Sequence, residues 1–138
     1  MLFRSNPNQQ IASQTGADNG SVVLQRNRQG HYVATALING QPTEVMLDTG
    51  ATRVSVPEHL ARTLGLQRGR AGQASTANGI ITTYATTLDS VQLGGITLHK
   101  VRASINPNGE DVLLGMSFLK QLEFTQRGDT LILRDYRQ

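Results

Sequence analysis

The chain has 138 residues, of which 38% are hydrophobic, enough for one domain with a single core and too few for two lobes. It contains no cysteine, which excludes a disulfide framework, zinc–thiolate sites and a thiol nucleophile. The formal net charge is only +3, the cations are scattered apart from Arg26/Arg28 and Arg68/Arg70, and few aromatic residues accompany them, so no nucleic-acid partner is expected.

Residues 5–20 are mostly Asn, Gln, Ser, Thr, Gly and Asp, and residues 1–21 are expected to form a polar, disordered leader or tether. No apolar run approaches the roughly 18 residues of a membrane span, so this stretch should not insert into a bilayer. It reads as a soluble domain, periplasmic or membrane-tethered if an anchor precedes it. From residue 22 to residue 135 short apolar runs alternate with turn signals at period two, which predicts a mainly β domain; residues 136–138 form a tail.

In chain order, residues 31–38 read as a strand, Asn39-Gly40 as a two-residue hairpin turn, and residues 43–47 as the return strand. Residues 54–56 form a further strand that leads into a helix over 57–64, opened by Pro57 and stopped by Gly65, with Leu60 and Leu64 on its inner face. Strands over 72–76 and 80–93 are joined at Ala77-Asn78-Gly79, and a strand over 96–105 follows Gly94-Gly95. After the break at 106–109, residues 112–115 read as a short, fully buried strand, 116–122 as a helix, and 123–126 with 130–134 as a last hairpin.

The chemistry is concentrated at Val45-Met46-Leu47-Asp48-Thr49-Gly50-Ala51. An ionisable Asp after three apolar residues sits where a buried strand ends, and a carboxylate there is costly to hold unless it is hydrogen-bonded, paired or functional. Asp-Thr-Gly is also ordinary turn chemistry, in which Asp accepts backbone N–H groups and Gly supplies conformational freedom. The three histidines, His31, His59 and His99, lack ligand spacing, so no metal and no cofactor are expected. Arg127-Gly128-Asp129 falls where a hairpin needs a turn and is read as one.

Taken together, Asp48-Thr49-Gly50-Ala51 after an apolar strand, a glycine-tipped hairpin further on, and Leu113-Leu114-Gly115 before a short helix resemble the retropepsin-like aspartic proteases over residues 30–134. The segments Ser75-Thr76-Ala77-Asn78-Gly79 and Val91-Gln92-Leu93-Gly94-Gly95-Ile96 resemble the bacterial single-domain members. The resemblance implies an all-β acid-protease fold, a closed barrel-like lobe with one or two short helices that forms a homodimer. It implies an aspartic endopeptidase, active on the acidic side, in which Asp48 from each subunit activates water on a protein or peptide substrate. Thr49, Gly50 and Ala51 would support the site, Thr76, Ala77, Asn78, Gly79 and Ile80 would belong to a substrate-covering flap, and Leu113, Leu114 and Gly115 would pack behind the catalytic loop.

Viral members usually carry Asp after the Asp-Thr-Gly-Ala run and Arg after the apolar-apolar-Gly motif; Thr52 and Met116 stand there in this chain. Both members of that ion pair are absent together, which leaves no buried charge unpaired. The alternative is a catalytically silent module of the same fold that binds peptides or self-associates.

Overall fold

Alternating apolar side chains produce ten strands in the computed structural model, which describes Asn6, residues 21–77 and residues 79–135. The strands are β1 (Ser21–Gln25), β2 (Tyr32–Ile38), β3 (Gln41–Leu47), β4 (Val54–Pro57), β5 (Ala71–Thr76), β6 (Gly79–Leu93), β7 (Ile96–Asn106), β8 (Val112–Leu114), β9 (Glu123–Arg127) and β10 (Thr130–Arg134). Two single-turn helices interrupt them, α1 (Glu58–Ala61) and α2 (Met116–Leu119). The domain is mainly β, as its patterning predicts.

Six strands form a ring in the order β2-β3-β8-β4-β7-β6, closed where β6 returns to β2 through Leu37↔Gln92 and Ile38↔Val91. Asn39 fastens that seam. Its backbone N–H donates to the Ser90 carbonyl at 2.9 Å, its Oδ1 accepts the Ser90 N–H at 3.2 Å, and its Nδ2 donates to the Leu64 carbonyl at 3.0 Å. Asn39 and Gly40 have φ of 50° and 80°, the pair of positive values that a type I′ turn requires. The ring encloses an apolar core in which Ile38, Leu88, Leu93, Ile96, Leu98, Leu114 and Phe118 are fully buried.

β5 lies outside the ring and pairs only with the first part of β6, so this hairpin projects from the barrel. A separate three-stranded sheet, in the order β1-β10-β9, packs Val22, Leu24, Leu131 and Leu133 into the same core.

Several sequence expectations need correction. The helix expected over 57–64 is a single turn: Pro57 ends β4 with extended backbone (φ −60°, ψ 144°), and the chain continues in turns to Gly65 at φ 73°. The helix expected over 116–122 likewise ends at Leu119. β8 is buried on one face only, because Leu113 is half-buried between Val112 and Leu114. β1 begins at Ser21, one residue inside the expected leader. Residues 7–20 of that leader and the tail at 136–138 lie outside the described residues. Among the described residues no helix is long and apolar enough to cross a membrane.

Candidate active site

β3 buries Val45 and Leu47 in the barrel and delivers Asp48 at its carboxyl end. Because β3 runs parallel to β8 with Leu47 opposite Leu114, the Asp48 N–H donates to the Leu114 carbonyl at 3.0 Å. The next residues turn tightly: the Gly50 N–H donates to Asp48 Oδ1 at 2.9 Å, and the Ala51 N–H donates to the Asp48 carbonyl at 3.2 Å. This is the Asx geometry that Asp-X-Gly favours. It holds one carboxylate oxygen and leaves the other without a hydrogen bond among the described residues. Asp48 is half-buried, Ala51 is half-buried, and Thr49 and Gly50 are exposed.

Gly115 explains how the loop is backed. The Met116 N–H donates to the Ala51 carbonyl at 2.7 Å, drawing the start of α2 against the loop. A Cβ on Gly115 would stand 2.4 Å from the Arg53 carbonyl oxygen and 2.6 Å from that of Ala51, so only glycine fits. Leu114 is buried beside it and Leu113 is paired to Met46, so the Leu113-Leu114-Gly115 segment lies directly behind the Asp48 loop.

Ser117 is a second brace, one that no motif in the sequence announces. Its Oγ accepts the Val54 N–H at 2.9 Å and donates to the Arg102 carbonyl at 2.7 Å, tying the exit of the loop to β7. Ser117→Ala leaves the Val54 N–H without its partner in a partly buried place. A loss of about 1–3 kcal/mol is expected, measured as a lower denaturant midpoint at unchanged slope.

Asp48 and Thr49 open onto a pocket of ≈ 240 Å³ lined also by Tyr32, Leu47, Leu119, Phe124, Gln126 and Leu131. These residues come from β2, β3, α2, β9 and β10, and no local pattern marks Tyr32, Phe124 or Gln126 in advance. The Tyr32 hydroxyl is buried without a hydrogen-bond partner among the described residues.

The projecting hairpin holds the other predicted residues. Thr76 pairs with Gly79, and the Thr76 hydroxyl donates to the Gly79 carbonyl at 2.7 Å. Gly79 has φ 117°. Thr76, Ala77 and Ile80 are exposed, Ile80 at 71%, whereas Asn78 lies outside the described residues. None of these lines the Asp48 pocket. A larger cavity of ≈ 1020 Å³ runs along the base of the hairpin beside Arg53, Arg68, Arg70 and Arg102 and does not include Asp48. Among the described residues no group of three or more His, Asp or Glu side chains is placed to hold a metal ion.

The family described as "gag-polyprotein putative aspartyl protease" matches residues 34–121. A retropepsin-like aspartic protease from Rickettsia conorii has a similar structure, with a TM-score of 0.71 and 31% identity over 83% of this chain and 89% of that one. The equine infectious anaemia virus (EIAV) protease, solved with the inhibitor HBY-793, shares the fold at a TM-score of 0.57 and 24% identity, over 70% of this chain and 92% of that one. An uncharacterized protein from a Sinorhizobium species, in the cobV 5′ region, is 35% identical over 120 residues, 83% of this chain and 52% of that protein. A second from Rickettsia prowazekii is 26% identical over 121 residues, 85% of this chain and 52% of that protein. The chain thus spans about half the length of the curated relatives it matches. The Asp48 loop backed by Gly115 within a closed six-strand ring, the family match over most of the barrel and the likeness to the Rickettsia enzyme agree, and the chain belongs to the retropepsin-like aspartic proteases.

Proposed function

We propose that the domain is an aspartic endopeptidase whose site is completed by a second copy of itself, each subunit contributing one Asp48. The observation that carries this reading is the Asp48 carboxylate itself. One oxygen is fixed by the Gly50 N–H at 2.9 Å, the other is unbonded among the described residues, and the group faces an open pocket rather than a cation. These 138 residues carry one Asp-Thr-Gly, so a second copy of the domain would supply the other, and a two-fold axis beside the loop brings each Asp48 to its copy.

Two carboxylates at such an axis hold one proton between them, because adjacent like charges do not both ionise comfortably. The ionised member takes a proton from water as its oxygen attacks the scissile carbonyl carbon. The protonated member donates to the carbonyl oxygen, and the proton taken from water passes to the leaving amine as the C–N bond breaks. Thr49, exposed in the single chain, is available for a hydrogen bond across the axis. The β5–β6 hairpin serves as the flap; closing it over an extended peptide covers Ile80 and excludes water.

Incubation with a peptide library should produce new termini detectable by mass spectrometry, and a statine-type inhibitor, whose hydroxyl lies between the two carboxylates, should suppress them. Specific activity per chain should fall on dilution through the dimer dissociation range. No cleavage at any concentration would leave the silent peptide-binding module as the reading, and full activity in a proven monomer would refute the shared pair.

A further inference from the structure

The larger cavity at the base of the β5–β6 hairpin takes no part in the chemistry at Asp48. Arginine dominates its charge: Arg53, Arg68, Arg70 and Arg102 line it against a single carboxylate, Asp89. The whole chain carries a net charge of only +3, so this concentration is local. A volume of ≈ 1020 Å³ holds several side chains rather than one small ion.

The backbone fixes where these arginines emerge. β4 pairs with β7 through Val54↔Ala103, so Arg53 and Arg102, each one residue earlier, leave from neighbouring positions. Val54 and Ala103 are buried, whereas Arg53 and Arg102 are exposed. The Ser117 hydroxyl ties the two together, accepting the Val54 N–H at 2.9 Å and donating to the Arg102 carbonyl at 2.7 Å. Beside the hairpin, the Gly69 N–H donates to the Ala85 carbonyl at 2.6 Å and the Ala85 N–H donates to the Arg70 carbonyl at 2.9 Å. A Cβ on Gly69 would stand 2.8 Å from the Ala85 oxygen, so the close approach that seats Arg70 requires glycine.

Arg68 already has partners, since it pairs with Glu58 and lies 4.8 Å from the centroid of the Tyr84 ring. Arg53, Arg70 and Arg102 form no ion pair among the described residues, and neither does Asp89. Like charges at neighbouring positions of adjacent strands repel, and the walls of a cleft concentrate their potential. An anion relieves that repulsion, and guanidinium groups hold carboxylates by paired hydrogen bonds. No aromatic side chain lines the cavity, so it lacks the stacking surface on which single-stranded nucleic acid is bound. Arg53 stands five residues after Asp48, a backbone stretch of at most about 18 Å. A peptide held between Asp48 and the hairpin therefore reaches the cavity within about five extended residues.

We propose that this cavity selects acidic substrates: an Asp or Glu within about five residues of the scissile bond enters it and is held by Arg53, Arg70 and Arg102. The preference rests on the peptidase reading above, and a two-fold dimer presents the cavity twice, once on each side of the cut.

The test compares pairs of peptides that the wild-type protein cleaves, differing only by Glu or Gln at one position near the cut. At about pH 6 the glutamate, with an ordinary pKa of about 4.3, is ionised. kcat/KM should be about tenfold higher for the Glu peptide at low salt, and the advantage should shrink as salt is raised. Combining Arg53→Gln with Arg102→Gln should bring the Glu/Gln ratio toward one, and Arg102→Glu should favour a Lys peptide over its Glu counterpart. Arg134→Gln, the same change of charge on β10 and outside the cavity, should keep the wild-type ratio. Equal kcat/KM for Glu and Gln peptides, or a ratio that the cavity variants leave untouched, overturns the acid preference while the peptidase stands. Salt-sensitive capture of single-stranded DNA, lost in the same variants and without any Glu preference, gives the cavity to nucleic acid instead. Absence of cleavage on every peptide removes the peptidase and this preference with it.

Discussion

Asp48→Asn is expected to abolish peptide cleavage, a loss on the order of 10³-fold or more, without unfolding the domain. The amide keeps an oxygen at the Oδ1 position, so the Gly50 N–H retains its 2.9 Å bond and the turn survives. What disappears is the capacity to take a proton from water. Asp48→Ala removes the bond as well and should cost about 1 kcal/mol of stability in addition. Hydrolysis rate and thermal midpoint, measured side by side, separate the two effects; an Asn variant that cuts like the wild type contradicts the assignment. Mixing provides a sharper readout. If each site needs two Asp48 residues, replacing wild type by Asp48→Asn chain at constant total chain concentration should lower activity as the square of the wild-type fraction, because mixed dimers carry one carboxylate. A linear decline would mean that single chains work alone.

Gly115→Ala is expected to produce the largest structural effect of any single methyl group near the site. Its Cβ would meet the Arg53 and Ala51 carbonyl oxygens at 2.4 and 2.6 Å and the Ala51 Cβ at 2.9 Å. These are backbone and near-backbone atoms and cannot swing aside. The chain can relieve the clash only by parting β8 from the loop, which also strains the 2.7 Å bond from Met116 N–H to the Ala51 carbonyl. Overpacking of this kind costs about 1–3 kcal/mol or more, so the melting temperature should drop by several degrees. Activity should fall further than the folded fraction does, because the strained atoms belong to the loop that orients Asp48. At Gly40, by contrast, a Cβ meets nothing within 4 Å, so Gly40→Ala carries only the backbone strain of φ 80°. A Gly115→Ala chain with wild-type stability and activity would show that the loop has slack.

The sequence makes some of this architecture legible and conceals the rest for identifiable reasons. The Asn39-Gly40 turn is readable because both residues tolerate the positive φ they adopt, a purely local requirement. Leu64 does turn inward, as its spacing from Leu60 predicts, but the helix expected to carry it stops at Ala61. A pattern fixes which side chains turn inward; it does not fix whether the backbone between them is helix or turn. The parallel pairings β3–β8 and β4–β7 leave no mark in either partner, since they depend on segments distant in sequence. The same holds for the pocket. Asp48, Thr49 and Gly50 announce themselves as a contiguous motif, whereas Tyr32, Phe124 and Gln126 reach it only through the tertiary fold. Asn27, whose Oδ1 accepts the Gln29 and His31 N–H groups at 3.0 and 2.9 Å, stands in an unremarkable polar stretch, yet it is the buried organiser of the β1–β2 connection.

The pairing of β1 with β10 and of β3 with β8 governs when the Asp48 loop acquires its geometry during synthesis. Asp48 is translated before Leu114, yet its N–H finds the Leu114 carbonyl only after that residue has left the ribosome, and β1 waits for Arg134. Folding dominated by such distant contacts is slow compared with helix formation, on the order of milliseconds to seconds. A nascent chain that has not reached Leu114 therefore carries the Asp-Thr-Gly motif without the backbone partner that holds it, so on the proposed reading the capacity to cut follows the pairing of β3 with β8.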